Sequence, residues 1–227
     1  MTRVLVILTL NEADGVRALL GRIPFDCADE VIATDGGSTD GTVELLRGAG
    51  IRVVPQHTRG RGEAFRVAVE ATAGEALLFF SPDGNEDPAD IPRLYERLEA
   101  GYDLAIASRF LPESVNEEDD CRLPLRKAAN RAFTRAANAL WNRGAFVSDT
   151  INGYRAITRE AFRRLAPTSV GFTIEYEMTI RAFKHGLRIA EIPTIEGPRI
   201  GGETKAHSVH TGLVFLRLLL REIRGRG

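Results

Sequence analysis

A short polar segment follows one of the most apolar runs of the chain. Residues 76–80 are continuously apolar, as in a parallel strand covered on both faces, and Ser81, Asp83 and Asn85 follow at alternate positions. Hard oxygen donors with that spacing can hold Mg²⁺ or Mn²⁺ against a diphosphate. A plain Asx turn before the helix that Pro88 introduces explains the same residues without a ligand. Both interpretations stand at this point.

Two glycine-containing turns carry further candidates. In 33–42, "ATDGGSTDGT", Asp35 ends an apolar run and is placed either to cap the turn or to bind a nucleobase or ribose. In 58–71, glycines flank Arg59 and Arg61 at a predicted helix start, where exposed N–H groups and guanidinium groups suit phosphate. The second turn lacks the lysine and the spacing of a P-loop, so a Walker-type ATPase is disfavoured.

The elements that must position these residues alternate along the first half of the chain. Apolar runs at 3–9, 30–35, 51–55, 75–81 and 103–110 alternate with helical spacing near 12–21, 40–48, 61–72 and 90–100. This alternation predicts βαβ units and an α/β fold with a mostly parallel sheet flanked by helices. Right-handed crossovers would bring the carboxyl ends of the strands, and the polar motifs, to one edge.

The second half departs from this pattern. We expect a charged loop after residue 110, a helix over 122–142, a strand over 149–158, helices over 159–166 and 172–186, and a strand over 187–195. The end of the chain, 211–227, is apolar but short and is interrupted by Arg217 and Arg221, so it predicts either an amphipathic helix on a membrane surface or a helix packed on the domain.

Composition excludes several classes of protein. The formal net charge of −1 argues against general nucleic-acid binding. The two cysteines, Cys27 and Cys121, have no metal-binding spacing, so a reduced, cytoplasmic location is the simpler prediction, with the cytoplasmic face of a membrane as its extension. We expect the four histidines at the surface and Trp141 as a core or interface anchor.

The motifs together resemble the glycosyltransferase family 2 enzymes of GT-A fold, most closely those that use dolichyl or polyprenyl phosphate as acceptor. "TLNE" (9–12) looks like the opening nucleotide-binding motif of that family, and "TDGGSTDGT" (34–42) resembles its D-D-G-S-x-D-G-T. "GRGEA", "SPDGNEDP", "ASRF" and "DTINGYR" follow in the family order. The segment 171–205, ending in R-x-x-G-E-T-K, is similar almost residue for residue to dolichyl-phosphate mannose synthases.

This resemblance implies roles for individual residues. Glu12 and Asp35 would contact the nucleoside, and Asp83 and Asn85 would lie at the metal and the diphosphate. The full donor-binding set would be Thr9, Asn11, Glu12, Asp35, Gly37, Ser38, Arg61, Ser81, Arg155 and Glu177. The residues expected to act in transfer are Asp83, Arg109, Asp149, Arg199 and Lys205. Residues 1–205 would form the catalytic domain and 206–227 a C-terminal amphipathic helix.

Two departures from the family pattern concern the cation. Ser81 stands where the first acid of the family's D-x-D is usual, and Gly36 replaces the second acid of its D-D-G-S. Replacing a carboxylate by a hydroxyl removes a full charge from the metal shell. We therefore expect Mg²⁺ or Mn²⁺ as cofactor, bound weakly and together with the donor diphosphate.

The family chemistry is a single displacement with inversion at the anomeric carbon of a nucleotide sugar of the GDP-mannose or UDP-glucose type. A lipid-phosphate acceptor is already anionic and needs no strong base, whereas a hydroxyl acceptor needs a carboxylate, for which Asp149 and Glu177 are candidates. Each also has a structural explanation: a hydrogen bond to the turn at Gly153 for Asp149, and an ion pair with Arg181 for Glu177. A soluble acceptor, a sugar-phosphate nucleotidyltransferase and a non-catalytic nucleotide-sugar-binding protein are the alternatives.

Overall fold

The computed structural model describes residues 1–119, 124–201 and 208–225. Its strands are β1 (Arg3–Thr9), β2 (Glu30–Asp35), β3 (Arg52–Pro55), β4 (Ala76–Phe80), β5 (Leu104–Ser108), β6 (Arg155–Thr158) and β7 (Ile189–Pro193). Its α-helices are α1 (Ala13–Leu19), α2 (Thr42–Gly48), α3 (Arg61–Ala71), α4 (Asp90–Glu99), α5 (Leu125–Trp141), α6 (Arg159–Leu165), α7 (Ile174–Lys184) and α8 (Ser208–Arg224). Two short 3₁₀ helices, Leu20–Arg22 and Phe25–Cys27, connect α1 to β2.

The seven strands form one sheet in the order β3-β2-β1-β4-β6-β5-β7. The pairs β1–β2, β1–β4, β2–β3 and β5–β7 are parallel, and β6 runs antiparallel to both β4 and β5. The prediction of a mostly parallel sheet flanked by helices is confirmed. The predicted strand over 149–158 is too long, because only its last four residues pair and the preceding residues form a turn.

Side-chain alternation along β1 explains why helices cover both faces of the sheet. Val4 and Val6 belong to a core with side chains from α3, α6 and α7, while Leu5 and Ile7 belong to a core with side chains from α1, α2 and α4. Every one of these four side chains is fully buried. Central strands buried on both faces fit the continuously apolar runs that predicted them.

Helix α8 is attached to the domain by a third, smaller apolar cluster. Phe215 and Leu218 of α8 pack with Ala137 of α5 and with Tyr176 and Ile180 of α7. The predicted boundary between the domain and this helix, at residue 205, lies outside the described residues. Helix α8 follows a segment that is also outside them, and among its described side chains Phe215 and Leu218 form the face that packs on the domain.

Polar contacts made by Glu177 reinforce the attachment of α8. The Glu177 carboxylate is fully buried and contacts Arg181 at 2.6 Å and Arg221 of α8 at 2.7 Å. It also accepts hydrogen bonds from Thr168 and Ser169 before α7. Burial alone would raise the pKa of Glu177, but these hydrogen bonds and the charge of Arg181 outweigh it and lower the pKa.

The lowered pKa of Glu177 gives the fold an acid-sensitive contact. Its stabilising contribution is present above the unfolded-state pKa, about 4.3 for glutamate, and is lost as pH falls through the lower folded-state value. We expect Glu177→Gln to reduce the free energy of unfolding at pH 7 and to flatten its decrease between about pH 5 and pH 3. Urea unfolding at several pH values measures both effects, with Glu160→Gln, an exposed acid of α6, as control. An unchanged pH profile in Glu177→Gln would contradict this role.

Candidate functional site

The predicted site residues gather along one edge of the sheet. Strands β1, β2, β4 and β5 end at this edge, so the residues that follow Thr9, Asp35, Phe80 and Ser108 lie beside one another. Because β6 is antiparallel, the turn that precedes it reaches the same edge. This explains how Asp149, which comes before a strand, meets Arg109, which comes after one.

The Asp35 carboxylate organises the turn after β2. It accepts hydrogen bonds from the amides of Gly37 and Ser38, both at 2.8 Å, from the Ser38 hydroxyl at 2.5 Å and from the Thr9 hydroxyl at 3.2 Å. Gly37 has φ of +91°, in the region where a side chain is strained. The structure thus brings Thr9, Asp35, Gly37 and Ser38 together in one hydrogen-bonded turn.

The loop after β1 is hydrogen-bonded to the same turn. The Asn11 amide donates to Ser38 Oγ at 2.8 Å, and Asn11 Oδ1 accepts from the Thr39 amide at 2.8 Å. The Glu12 amide donates to Thr42 Oγ1 at 3.0 Å, and the Glu12 side chain is almost fully buried. Asn11 has φ of +55°, an uncommon conformation for a residue other than glycine and one that recurs at functional sites.

The polar segment after β4 is a tight turn that also faces the site. The Asn85 amide donates to Asp83 Oδ1 at 3.1 Å, which is the Asx turn expected from the sequence. The Ser81 amide donates to Glu86 Oε2 at 2.6 Å. Burial, together with the charge of Asp83, raises the pKa of Glu86 to about 8 despite the nearby Arg61. The turn interpretation and the binding interpretation are compatible, because Asp83 Oδ2 points to a cationic side chain described below.

Arg61 lies beneath this turn at the centre of several acids. Its guanidinium pairs with Glu175 of α7, donates to Ser81 Oγ at 3.1 Å and lies 3.9 Å from Glu86 Oε1. A Cβ on Gly153 would fall 1.8 Å from Arg61 Nη2, so glycine at 153 leaves room for the guanidinium. Arg61 is therefore present at the site as predicted, held by carboxylates that the motif did not reveal.

The amino terminus of α3 differs from the prediction. Its amides at Gly62 and Glu63 donate to the Val170 carbonyl at 2.7 and 3.3 Å, so they are not available to a phosphate. A Cβ on Gly62 would fall 2.0 Å from the Ser169 carbonyl oxygen. The glycines around Arg61 thus serve close packing of two backbones. The side chains of Arg61 and Arg59 still reach the edge, where Arg59 Nη2 donates to the Gly37 carbonyl at 3.4 Å.

Arg199 connects two of the predicted donor-binding acids. Its Nη1 lies 2.8 Å from Asp83 Oδ2, and its Nη2 lies 3.1 Å from Glu12 Oε1. These acids follow β4 and β1, which are neighbours in the sheet. A guanidinium from a distant segment of the chain thus closes the space between the two strand ends.

Arg109 and Asp149 form a bidentate ion pair. Arg109 Nε and Nη2 lie 2.7 and 3.1 Å from the two oxygens of Asp149, and Nη1 lies 3.5 Å from Glu196. Asp149 is fully buried and also accepts from the amides of Ile151 and Asn152. Burial alone would raise the pKa of Asp149, but Arg109 and the turn amides lower it. This geometry favours the structural interpretation of Asp149 over a role as general base.

Two other predicted residues face away from the strand ends. Arg155 is fully buried and donates to the carbonyls of Asn152 and Glu175 and to the Thr179 hydroxyl. Burial lowers the pKa of Arg155 to about 10, so it remains charged at neutral pH. Glu177 faces α8, and its predicted ion pair with Arg181 is confirmed. Both residues hold the elements behind the site.

The other residues singled out in the sequence lie outside the described part of the chain, at the surface or in an apolar cluster. Lys205, His207, the side chain of His210 and Cys121 lie outside the described residues. His57 and His185 are exposed, as expected. Trp141 is half-buried in the cluster under α8, and Lys184 Nζ lies 5.3 Å from the centre of its ring, which fits an anchoring role.

The oxygen atoms of the segment after β4 are too few to hold a divalent cation by themselves. They could hold one only together with a bound ligand that supplies further oxygens. Asp83 offers a carboxylate and Asn85 an amide oxygen, whereas Ser81 offers only a hydroxyl that accepts from Arg61. Within the described part of the chain, no group of three or more His, Cys, Asp and Glu side chains is arranged to hold a metal ion. Diphosphate oxygens would have to complete the coordination shell.

Sequence reasoning missed the acids that balance the arginines. Glu175 pairs with Arg61, and Glu196 contacts Arg109 and accepts from Asn116 Nδ2 at 2.9 Å. Glu175 and Glu177 lie two residues apart on α7 and so face different directions. The helical spacing shows that they diverge, but it does not show which of the two faces the sheet.

Comparison with known proteins agrees with the fold. The sequence model of the family described as Glycosyl transferase family 2 matches residues 4–165. Glycosyltransferase AglJ of Haloferax volcanii is 34% identical over 94% of this chain and 69% of its own length. The dolichyl-phosphate hexose transferase of the same organism is 32% identical over 87% of this chain and 83% of its own length.

A solved structure supports the architecture. Glucosyl-3-phosphoglycerate synthase from Mycobacterium tuberculosis, crystallised with Mn²⁺, UDP-glucose and phosphoglyceric acid, superimposes with a TM-score of 0.76. It is 23% identical, and the match covers 100% of this chain and 81% of that one. This likeness confirms the predicted fold alone. With a family match over most of its length and a relative that is 34% identical, the chain belongs to glycosyl transferase family 2.

Proposed function

We propose that this protein transfers a hexose, with inversion, from a nucleotide sugar to a polyprenyl phosphate. The observation that carries the proposal is the cluster of three guanidiniums at the carboxyl edge of the sheet, where Arg199 pairs with Asp83, Arg61 lies beside Glu86 and Arg109 pairs with Asp149. Such a cluster suits a reaction in which an anionic diphosphate leaves and an anionic phosphate attacks. The named activity of the dolichyl-phosphate hexose transferase relative supports the acceptor class.

The donor nucleoside would bind in the turn organised by Asp35. The Asn11 and Ser38 loops are fixed to each other by hydrogen bonds, so this wall is formed before the ligand arrives. A preformed wall reduces the conformational entropy lost on binding. The diphosphate would then extend toward Asp83 and the arginines.

Departure of the nucleoside diphosphate concentrates negative charge beside the β4 turn. A divalent cation, when bound by Asp83, Asn85 and the diphosphate, would neutralise part of that charge. Arg61 and Arg199 supply fixed positive charge at the same place, and the surrounding acids keep both guanidiniums oriented. Oriented charges that need no rearrangement during the reaction are the kind of electrostatic stabilisation that usually dominates catalysis.

The state of the two candidate bases favours a lipid phosphate over a hydroxyl acceptor. Asp149 is fully buried and bidentately paired, and Glu177 is fully buried against α8. The pKa of each is lowered, so each is a poor proton acceptor. A phosphate acceptor is already ionised and needs only to be oriented, which Arg109 and Arg199 would do.

Helix α8 offers a surface for the membrane that carries such an acceptor. Leu213, Leu216, Leu220 and Ile223 are between 42% and 51% exposed, and their spacing of three and four residues makes one stripe. The stripe lies away from the buried face of Phe215 and Leu218, and the exposed Arg217 and Arg224 flank it. None of the described helices is long and apolar enough to cross a bilayer. The helix would lie in the plane of an anionic membrane surface.

Replacement of Asp83 tests the transfer reaction. We expect Asp83→Asn to lower kcat by roughly a hundredfold or more, because the charge next to the leaving diphosphate is lost. Asp26→Asn, which removes the same charge at an exposed position, is the matched control. The assay offers several nucleotide sugars with lipid-phosphate, soluble and protein acceptors, with and without EDTA.

Circular dichroism must first show that the Asp83→Asn variant is folded. Each outcome of the assay then separates two of the proposals. Product formed only with soluble hydroxyl acceptors would overturn the acceptor proposal. Nucleotide binding without turnover in the wild type would identify a binding protein. Full activity in excess EDTA would count against a divalent cation.

Replacement of the exposed stripe tests membrane contact. We expect Leu216→Glu with Leu220→Glu to abolish sedimentation with vesicles that contain anionic lipid, because it places two charges in the apolar face. Arg217→Glu should weaken binding to anionic vesicles, since each basic residue near the surface contributes about 1 kcal/mol. Tyr102→Glu, at a surface turn distant in sequence, is the control. Equal sedimentation of all variants would contradict the assignment.

A further inference from the structure

A half-buried carboxylate on β7 is bound to the turn that carries Asp149. Glu191 accepts hydrogen bonds from the Ser148 amide at 2.8 Å, from the Ser148 hydroxyl at 2.7 Å and from the Asp149 amide at 2.9 Å. Both of these partner residues precede β6. Because β5 lies between β6 and β7 in the sheet, the three bonds reach across the strand whose end leads into Arg109.

A chain of hydroxyl groups continues from Glu191 to the end of β5. The hydroxyl oxygens of Ser148 and Ser108 are 2.6 Å apart, and the Phe110 amide donates to Ser108 Oγ at 3.2 Å. Since the Ser148 hydroxyl gives its proton to Glu191, the Ser108 hydroxyl donates to Ser148. The chain therefore runs in one direction, from the Phe110 amide through two hydroxyls to the carboxylate.

This chain holds both members of the ion pair between Arg109 and Asp149. Arg109 stands between Ser108 and Phe110, so its backbone is fixed on both sides. Asp149 receives the Arg109 guanidinium at 2.7 and 3.1 Å, while its own amide is bound to Glu191. The direction of the guanidinium therefore depends on a carboxylate that does not contact it.

The partners of Glu191 explain why a carboxylate stands at this position. All three are donors: the Ser148 amide to Oε2, and the Ser148 hydroxyl and the Asp149 amide to Oε1. Glutamine has the same shape, but in either orientation its amide nitrogen would face a backbone N–H. Burial raises the pKa of Glu191, and the hydrogen bonds from Ser148 and Asp149 oppose this rise without cancelling it. A side chain that only filled space would avoid this cost of keeping a charge.

We infer that Glu191 is a positioning residue, which fixes the direction of the Arg109 guanidinium toward the acceptor phosphate. This inference rests on the proposed function, in which Arg109 orients that phosphate. Misplacing an orienting group by about 1 Å costs on the order of a hundredfold in rate. The donor turn organised by Asp35 takes no part in the chain of hydrogen bonds, so loss of Glu191 should impair use of the acceptor and spare binding of the donor.

Steady-state kinetics of the isosteric variant Glu191→Gln tests this role. We expect kcat/KM for the polyprenyl phosphate to fall by about tenfold or more, while KM for the nucleotide sugar stays within about twofold of the wild type. Ser148→Ala removes one hydroxyl and keeps the backbone bonds, so it should show a smaller loss of the same kind. It also decides the question if the glutamine variant does not fold.

A matched control separates positioning from stability. Glu99→Gln removes a carboxylate that accepts a hydrogen bond from Arg3, at the amino-terminal end of β1 and so at the opposite edge of the sheet. It should lower the urea midpoint without changing either kinetic constant. If Glu191→Gln changes the donor and acceptor constants equally, or changes neither, the assigned role is wrong.

Nuclear magnetic resonance tests the positioning without turnover. Arg109 Nε–H donates to Asp149 at 2.7 Å, so its proton should exchange slowly with water, and its signal is identified by its loss in Arg109→Lys. We expect exchange of this proton to accelerate by about fivefold or more in Glu191→Gln and to stay unchanged in Glu99→Gln. Unchanged exchange in both Glu191→Gln and Ser148→Ala would refute the inference. If no donor supports transfer, the proposed function fails, while the exchange rates still decide whether Glu191 holds Arg109.

Discussion

Pairing of half-buried charges at one edge of the sheet is the constraint on which the site depends. Carboxylates removed from water are costly unless a cation and hydrogen bonds compensate them, and here Arg61, Arg109 and Arg199 each bring that compensation. The pairs are not independent, since Arg61 contacts acids from two segments and Arg199 does the same. An anionic substrate at this edge would therefore meet guanidiniums that are already paired with carboxylates.

The antiparallel strand β6 is what makes this network possible. In a fully parallel sheet, the turn containing Asp149 would lie at the opposite edge from the residues that follow β4 and β5. Reversal of one strand brings that turn beside Arg109, and it also brings Arg155, the first residue of β6, under the amino-terminal part of α7. The guanidinium of Arg155 donates its hydrogen bonds to backbone carbonyls of the turn and of α7. It therefore supports the site without reaching the substrate edge.

Sequence reasoning predicted the parts of this arrangement that depend on local pattern. The apolar runs gave β1, β2, β4 and β5, and residues at their carboxyl ends, such as Asp35 and Asp83, lie together as expected. What it missed depends on contacts between distant segments. The pairing of Arg61 with Glu175 spans 114 residues, and that of Arg199 with Glu12 spans 187. Glycines at 60 and 62 suggested that the amino terminus of α3 binds phosphate, but these glycines allow close contact with Ser169 and Val170.

The same charge balance explains why an already ionised acceptor suits this site. A general base must be accessible and must hold its proton with moderate affinity, which requires an acid without strong cationic partners. Asp149 and Glu177 do not meet these requirements. Each is bound by arginine and by backbone amides that stabilise its ionised form. At the same edge, Arg61, Arg109 and Arg199 present guanidinium groups, which bind phosphate as well as carboxylate. The guanidiniums of Arg61, Arg109 and Arg199 can hold two phosphates close together, with their charges offsetting the mutual repulsion of the phosphates until the hexose has moved from one to the other.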